Sequence, residues 1–275
     1  MPRTPDLSGV WLKLERAQAH IQAVRQQTVA FTERDPAPFG FRTEITDGPG
    51  NSRSYSLYAV VREAPPPELA LPVGDAIQNM RSSLDHLAYQ FATSKGRRSN
   101  KLQFPIFLDE CRFKVLGPER MTSITGDERA LIERVQPFNA TDPATDNPLA
   151  ILRKLSNLDK HRLLIPLITA VSATDVWVAS DNADIRWTHL EGGPVEHDAE
   201  IVAFTATPQD PSKDMEVHAQ SGLQIELADT GASFEIGVVD VLAMIHFHIG
   251  HMVEMWFRHG FLPPTLADLR GPSLP

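Results

Sequence analysis

Cysteine is almost absent from this chain. Of 275 residues only Cys111 carries a thiol, which excludes an internal disulfide framework and any Cys-based zinc knuckle. Aromatic residues make up 7% and do not interleave with the basic residues, so no platform for stacking single-stranded bases is signalled. No P-loop, G-x-G-x-x-G, G-x-S-x-G or H-E-x-x-H motif occurs, and the usual nucleotide, hydrolase and zincin readings lose their support. Long hydrophobic runs are missing as well: Leu163–Val171 is interrupted by Pro166 and is too short to cross a bilayer. The opening MPRTPDLSGVW has no apolar stretch behind its arginine, so no secretory signal is read. The expectation is a soluble, cytoplasmic protein with no membrane partner.

What is present suffices for a sizeable core. Hydrophobic residues account for 42% and charged residues for 22%, which excludes a disordered chain. The net charge of −9 argues against a general coat for nucleic acid or anionic membranes. That charge is unevenly spread. Residues 81–162 carry 14 Lys and Arg against 10 Asp and Glu, whereas residues 163–275 carry 4 against 16. An anionic ligand would be drawn to the positive middle, and the acidic last third could face an unidentified protein partner.

Apolar residues recur at helical spacing over 10–33, with Ser8 or Asp6 able to cap the start, and over 74–94. A hairpin is expected from FRTEITD and SYSLYAVVR around the turn-rich GPGNSRS. KGRRSNK reads as a loop and LQFPIF as an extended piece. Two further helices are expected over 127–136 and over 148–161, the latter with Pro148 in its first turn. From residue 163 the pattern changes to β-type segments: LLIPLITAV, DVWVAS, IRWTHL, EIVAFTAT, MEVHAQ, GLQIEL and ASFEIG. A final helix covers 238–259. The order predicts an α+β fold, a helical core with a mostly antiparallel sheet. The helix-rich 1–162, the strand-rich 163–237 and the last helix are expected to co-fold as one domain.

Three constellations could carry chemistry. The first is Arg81-Ser-Ser-Leu-Asp85-His86, an R-x4-H arrangement in the second helix, whose polar stripe also holds Asn79. The stretch GDAIQNMRSSLDHLAYQ, then FPIF, then LSNLDKHR, resembles an uncharacterised family of bacterial and phage proteins over about a third of the chain, from Gly74 to Arg162. The R-x4-H also resembles that of the HEPN superfamily, many of whose members are metal-independent ribonucleases. That resemblance implies an RNA-cleaving homodimer needing neither metal nor other cofactor. His86 would be general acid or base, and Arg81 would hold the phosphate oxygens. HEPN proteins often carry Asn, Asp or His directly after the arginine, where this chain has Ser82, and the superfamily unit is helical. The same residues admit an architectural reading, with Arg81 paired to Asp85 at i,i+4 and His86 making a structural hydrogen bond.

The second constellation, Asn157-Leu-Asp159-Lys160-His161-Arg162, closes a helix. It could supply phosphate contacts or orient His86 through Asp159, or could set cations against the negative pole of the helix dipole. Lys95, Arg97, Arg98 and Arg162 are candidate anion-binding residues. The third is His246, His248, His251 and Glu254 in the last helix. His246 and His248 point about 160° apart and cannot share a metal, so satisfied histidines at a packed surface are expected and no metal is assigned. Three functions stay open: a HEPN-like ribonuclease, a non-enzymatic interaction protein, and a binding module for a small anionic ligand.

Overall fold

In a computed structural model, the described residues are 5–93, 102–124, 126–141, 144–170, 177–180, 182–190, 193–213, 215, 217–220, 223–228 and 236–258. The fold is α+β. Six helices are present among the described residues: α1 (Ser8–Thr32), α2 (Ala70–Thr93), α3 (Glu110–Arg120), α4 (Asp127–Arg134), α5 (Pro148–His161) and α6 (Val238–Arg258). At the start of α1 it is Asp6, not Ser8, that serves the backbone, accepting the Ser8 N–H at 3.0 Å. The start of α5 follows its sequence: the Asn147 side chain accepts the Leu149 N–H at 2.9 Å and Pro148 takes the first helical position, where its missing N–H costs nothing.

Helix α3 went unread in the sequence. Asp109 caps it, accepting the Arg112 N–H at 2.7 Å, but only Phe113 and Gly117 are buried and Pro118 sits inside it. A helix with so narrow an apolar stripe gives almost no periodic signal.

The helical core joins α1, α2, α5 and α6. Val10, Leu14, Ala17, Ile21, Val24 and Phe31 line the inner side of α1. They meet Ile77, Met80, Leu84, Leu87 and Phe91 of α2 and Val241, Leu242, Ile245 and Ile249 of α6, all within one cluster. By length and mean hydropathy (1.3) α6 could span a membrane. Eight of its residues, from Val238 to Trp256, are instead buried in the protein, so its apolar stripe is accounted for by the bundle.

The strands pair antiparallel throughout the described residues. The hairpin β1 (Phe39–Asp47) and β2 (Arg53–Val61) is joined by β7 (Glu200–Pro208) and β5 (Ala183–Leu190) into one sheet of order β1-β2-β7-β5. Two smaller sheets hold β6 (Gly193–Pro194) with β3 (Pro166–Ala170) and β9 (Leu223–Leu227), and β4 (Trp177–Ser180) with β8 (Val217–Gln220). The larger sheet has its own apolar cluster, in which Tyr55 stacks on Phe204 at 4.9 Å between ring centroids. KGRRSNK, the proline-rich tail and most of ASFEIG lie outside the described residues.

One polar group of α6 lies in this core without a partner. His246 contacts the Leu14 carbonyl through Nε2 at 3.0 Å, but Nε2 of His248 is buried and has no partner among the described residues. Burial lowers the His248 pKa, and His251 lowers it further. The unfolded chain therefore binds a proton that the folded chain refuses, and stability falls as pH drops through the ordinary histidine range near pH ~6.5. Urea unfolding from about pH 7 to about pH 5 is expected to lose less stability in His248→Gln than in the parent. An unchanged pH dependence would remove His248 from the acid response.

Candidate functional site

The site grows from a backbone problem. Residues 102–107 are extended without belonging to any sheet, yet Phe104, Ile106 and Phe107 are buried in the core. Buried N–H and C=O groups need partners, and here side chains supply them. Arg81 donates through Nη2 to the Phe104 carbonyl at 2.6 Å, and Asp85 accepts the Phe104 N–H at 2.9 Å. Arg81 and Asp85 also bond each other at 3.0 Å, so one turn of α2 holds Phe104 by both backbone groups. Gln136, itself buried, does the same further on: Oε1 accepts the Phe107 N–H and Nε2 donates to the Pro105 carbonyl, each at 2.9 Å.

Beside this clamp lies a cavity of about 190 Å³, floored by α5 and walled by α2, by Gln103 and Ile106, and by Arg120 at the end of α3. From α5 it receives Arg153, Ser156, Asn157 and Lys160. Their i, i+3, i+4, i+7 spacing puts all four on one stripe of the helix. The lining thus holds four cations, Arg81, Arg120, Arg153 and Lys160, against the single carboxylate of Asp85. That carboxylate is already engaged by Arg81 and Phe104. Among the described residues no carboxylate pairs with Arg120, Arg153 or Lys160.

The electrostatics reflect this imbalance. Burial lowers the pKa of Arg81; Asp85 opposes the shift, while Arg120 and Arg153 add to it. Arg153 is lowered by its own burial, then by Arg120 and Arg112. Low-dielectric surroundings strengthen this mutual repulsion. Ser156 adds a second unsettled group: it is 2% exposed, lines the cavity, and its hydroxyl has no partner among the described residues.

The residues expected to act together separate into three places. Arg81, Asp85 and Lys160 line the cavity. His86 does not; its ring packs over Gly9 of α1, where an added Cβ would come within 2.7 Å of Nδ1. Five residues apart on α2, Arg81 and His86 diverge by about 140°, so within one chain they do not meet. Asp159 turns to α2 rather than to the cavity. It accepts from Gln78 Nε2 at 3.0 Å and presses on Gly74, where a Cβ would lie 2.5 Å from Oδ1. Asp159 thus packs helix on helix and does not orient His86. Asn79 bonds back to the Asp75 carbonyl at 2.8 Å. His161 and Arg162 stand at the exposed end of α5, while Lys95, Arg97 and Arg98 lie outside the described residues. No group of three or more metal-binding side chains occurs among the described residues, so His248 and His251 gain no third ligand there.

Asn157 and Lys160 were named from sequence and Arg153 lies in its positive middle; Arg120, Ser156 and Gln103 were not singled out, nor was the α5 stripe as a unit. The α5 stripe could have been, because its spacing is visible. Arg120 and Gln103 could not, because only the tertiary fold brings them beside it.

The clamp has a measurable signature. Arg81→Ala leaves Asp85 and the Phe104 carbonyl short of a partner and is expected to cost about 2–4 kcal/mol in chemical denaturation. Asp85→Ala should cost a similar amount, and the double variant much less than the sum. Additive losses would mean that the two side chains do not hold Phe104 as a unit. No family model, curated protein or solved structure matches the chain, so the chemistry of this cavity is the ground on which its function is read.

Proposed function

We propose that the protein binds a small oxyanionic ligand, a phosphoryl or carboxylate compound, in the cavity between α2, α3 and α5. The observation that carries this reading is the surplus of cations. Arg81, Arg120, Arg153 and Lys160 converge on a concave space whose one carboxylate among the described residues is already used. Guanidinium groups suit oxyanions because their N–H donors match pairs of oxygens. The unpartnered Ser156 hydroxyl supplies a further donor.

The cavity also limits the ligand. About 190 Å³ is below the range of sites for drug-sized molecules. Among the described residues Ile106 is the one hydrophobic side chain in its lining, and no aromatic residue lines it. A flat base or large apolar group would find nothing to stack on, so the reading is of a compact, highly charged ligand or the charged head of a larger one.

Binding is favoured over RNA cleavage for a geometric reason. Cleavage by an R-x4-H pair needs arginine and imidazole on one phosphate. His86 faces α1 instead, and no imidazole lines the cavity among the described residues. Cys111 is exposed and free, which suits a reducing, cytoplasmic setting.

Thermal shift and calorimetric titration with inorganic phosphate, pyrophosphate and citrate are the direct tests. At least one should raise the melting temperature by linkage, with affinity falling as salt rises. Arg153→Ala should weaken that binding by about tenfold or more, the worth of one charge-assisted hydrogen bond. The same variant without ligand should melt no lower than the parent, because it relieves repulsion from Arg120. Absence of binding at millimolar anion, or binding indifferent to Arg153, would overturn the proposal.

A further inference from the structure

The larger sheet ends in a strand whose outer backbone is uncovered among the described residues. There β1 pairs only with β2, in an unbroken register from Phe39↔Val61 to Asp47↔Arg53. Natural edges are blunted by proline, by charged side chains, lysine above all, by a bulge or by a covering element; β1 has charges of both signs, Arg42 against Glu44 and Asp47. Residues 39–47 contain no proline and no lysine, the register with β2 has no bulge, and Phe41 to Asp47 are exposed.

The outward-facing backbone groups can be identified. The ladder is bracketed by the Gly48 N–H donating to the Ser52 carbonyl and the Arg62 N–H donating to the Pro38 carbonyl, both at 2.8 Å. Hydrogen-bonded pairs alternate along an antiparallel ladder, so the even-numbered residues of β1 bond β2. Phe39, Phe41, Thr43, Ile45 and Asp47 therefore turn their N–H and C=O groups away from the sheet.

Phe41-Arg42-Thr43-Glu44-Ile45 is chemically self-complementary about its centre. A second copy laid antiparallel with Thr43 opposite Thr43 pairs residue 41 with 45 and residue 42 with 44. Each phenylalanine then meets an isoleucine and each arginine meets a glutamate, twice, as a two-fold axis demands. The faces agree as well. Phe41, Thr43 and Ile45 are opposite Ala59, Leu57 and Tyr55 of β2, which are buried in the sheet's apolar cluster. On β1 that face is left open, with Phe41 37% and Ile45 58% exposed. Arg42, held by Glu44 and Asp198 and lying over the Tyr58 ring, presents its charge on the other face, beside the place of the second copy's Glu44.

We infer that β1 is the interface of a homodimer, in which two chains pair edge to edge about Thr43 to form one continuous eight-stranded sheet. The occupant is a second copy rather than an unrelated strand because residues 41–45, read backward, keep their apolar order and invert their charges, so that the segment complements itself. No residue of β1 lines the cavity, and this assembly does not depend on the ligand proposed there.

Sedimentation equilibrium of the whole chain tests it. The expected species has twice the 30.5 kDa chain mass at tens of micromolar. Thr43→Pro removes a central outward N–H without touching the ladder to β2, and should shift the protein to monomer with little change in circular dichroism. Glu44→Arg sets like charges opposite each other across the axis and should weaken the dimer about tenfold or more. Arg42→Glu combined with Glu44→Arg should restore it. Should Thr43→Pro misfold, Ile45→Lys at an exposed position takes its place. A monomeric parent, or a dimer that survives both Thr43→Pro and Glu44→Arg unchanged, would overturn the inference.

Discussion

An extended segment buried without strand partners is the constraint around which the helical half is organised. Phe104, Ile106 and Phe107 contribute apolar surface to the core, and each buried side chain of that size is worth roughly 2 kcal/mol. The cost is a stretch of backbone that would lie unsatisfied in a dry interior. Arg81, Asp85 and Gln136 meet that cost from helix α2 and from the turn after α4. Arg81 is thereby drawn inside, with its side chain 14% exposed, and a guanidinium in that position needs Asp85 as its companion. Two of the motif's polar residues, Arg81 and Asp85, follow from this one docking event. GDAIQNMRSSLDH and FPIF belong together because one side of the first clamps the backbone of the second.

The clamp does not explain the remaining cations. Arg120 and Arg153 weaken each other's neighbourhood and that of Arg81, and no described carboxylate relieves them. A protein stabilised for its own sake would place a glutamate there, or let the side chains point to water, since like charges near one another in reduced dielectric are unfavourable. Arg120 is partly restrained by lying over the Phe107 ring at 5.0 Å, which anchors it to the same segment that Arg81 and Asp85 hold. The docking of residues 102–107 thus fixes the wall of the cavity as well as the core beneath it.

Much of the fold was legible in the sequence. The periodic residues of α1, α2 and α6 marked their helices, and Asn147-Pro148 with Lys160 and His161 bounded α5 at both ends. Strand segments were legible through their β-branched content, but not their partners. β2 meets β7 across some 140 positions of chain, a pairing that no local pattern encodes. α3 was missed because a helix with Pro118 and two buried residues has little periodicity to read. For the site, Arg81 and Asp85 were noticeable by their spacing, and their i,i+4 pairing is present. It could not say that His86 would turn to Gly9 or Asp159 to Gly74, because both directions are set by which neighbouring helix packs where. Asn157 and Lys160 were noticed, but not the stripe that joins them to Arg153 and Ser156, because the cations already had a sufficient explanation at the helix end.

Consistency between local chemistry and global fold is the normal condition of a natural sequence, and departures concentrate where function is under selection. Two departures stand out here. One is a concave cluster of cations in which no described carboxylate relieves Arg120, Arg153 or Lys160, next to a buried serine with no partner among the described residues. The other is a long edge strand with no proline, no lysine and no bulge. Several other demands are met: Arg81 is paired with Asp85, both amide atoms of the buried Gln136 are hydrogen-bonded, and Gly9 and Gly74 sit where another side chain comes too close for a Cβ. An anion would complete the first departure and a second copy of the chain the second. The two completions act through different halves of the molecule, the cavity through the helices and the edge through the sheet.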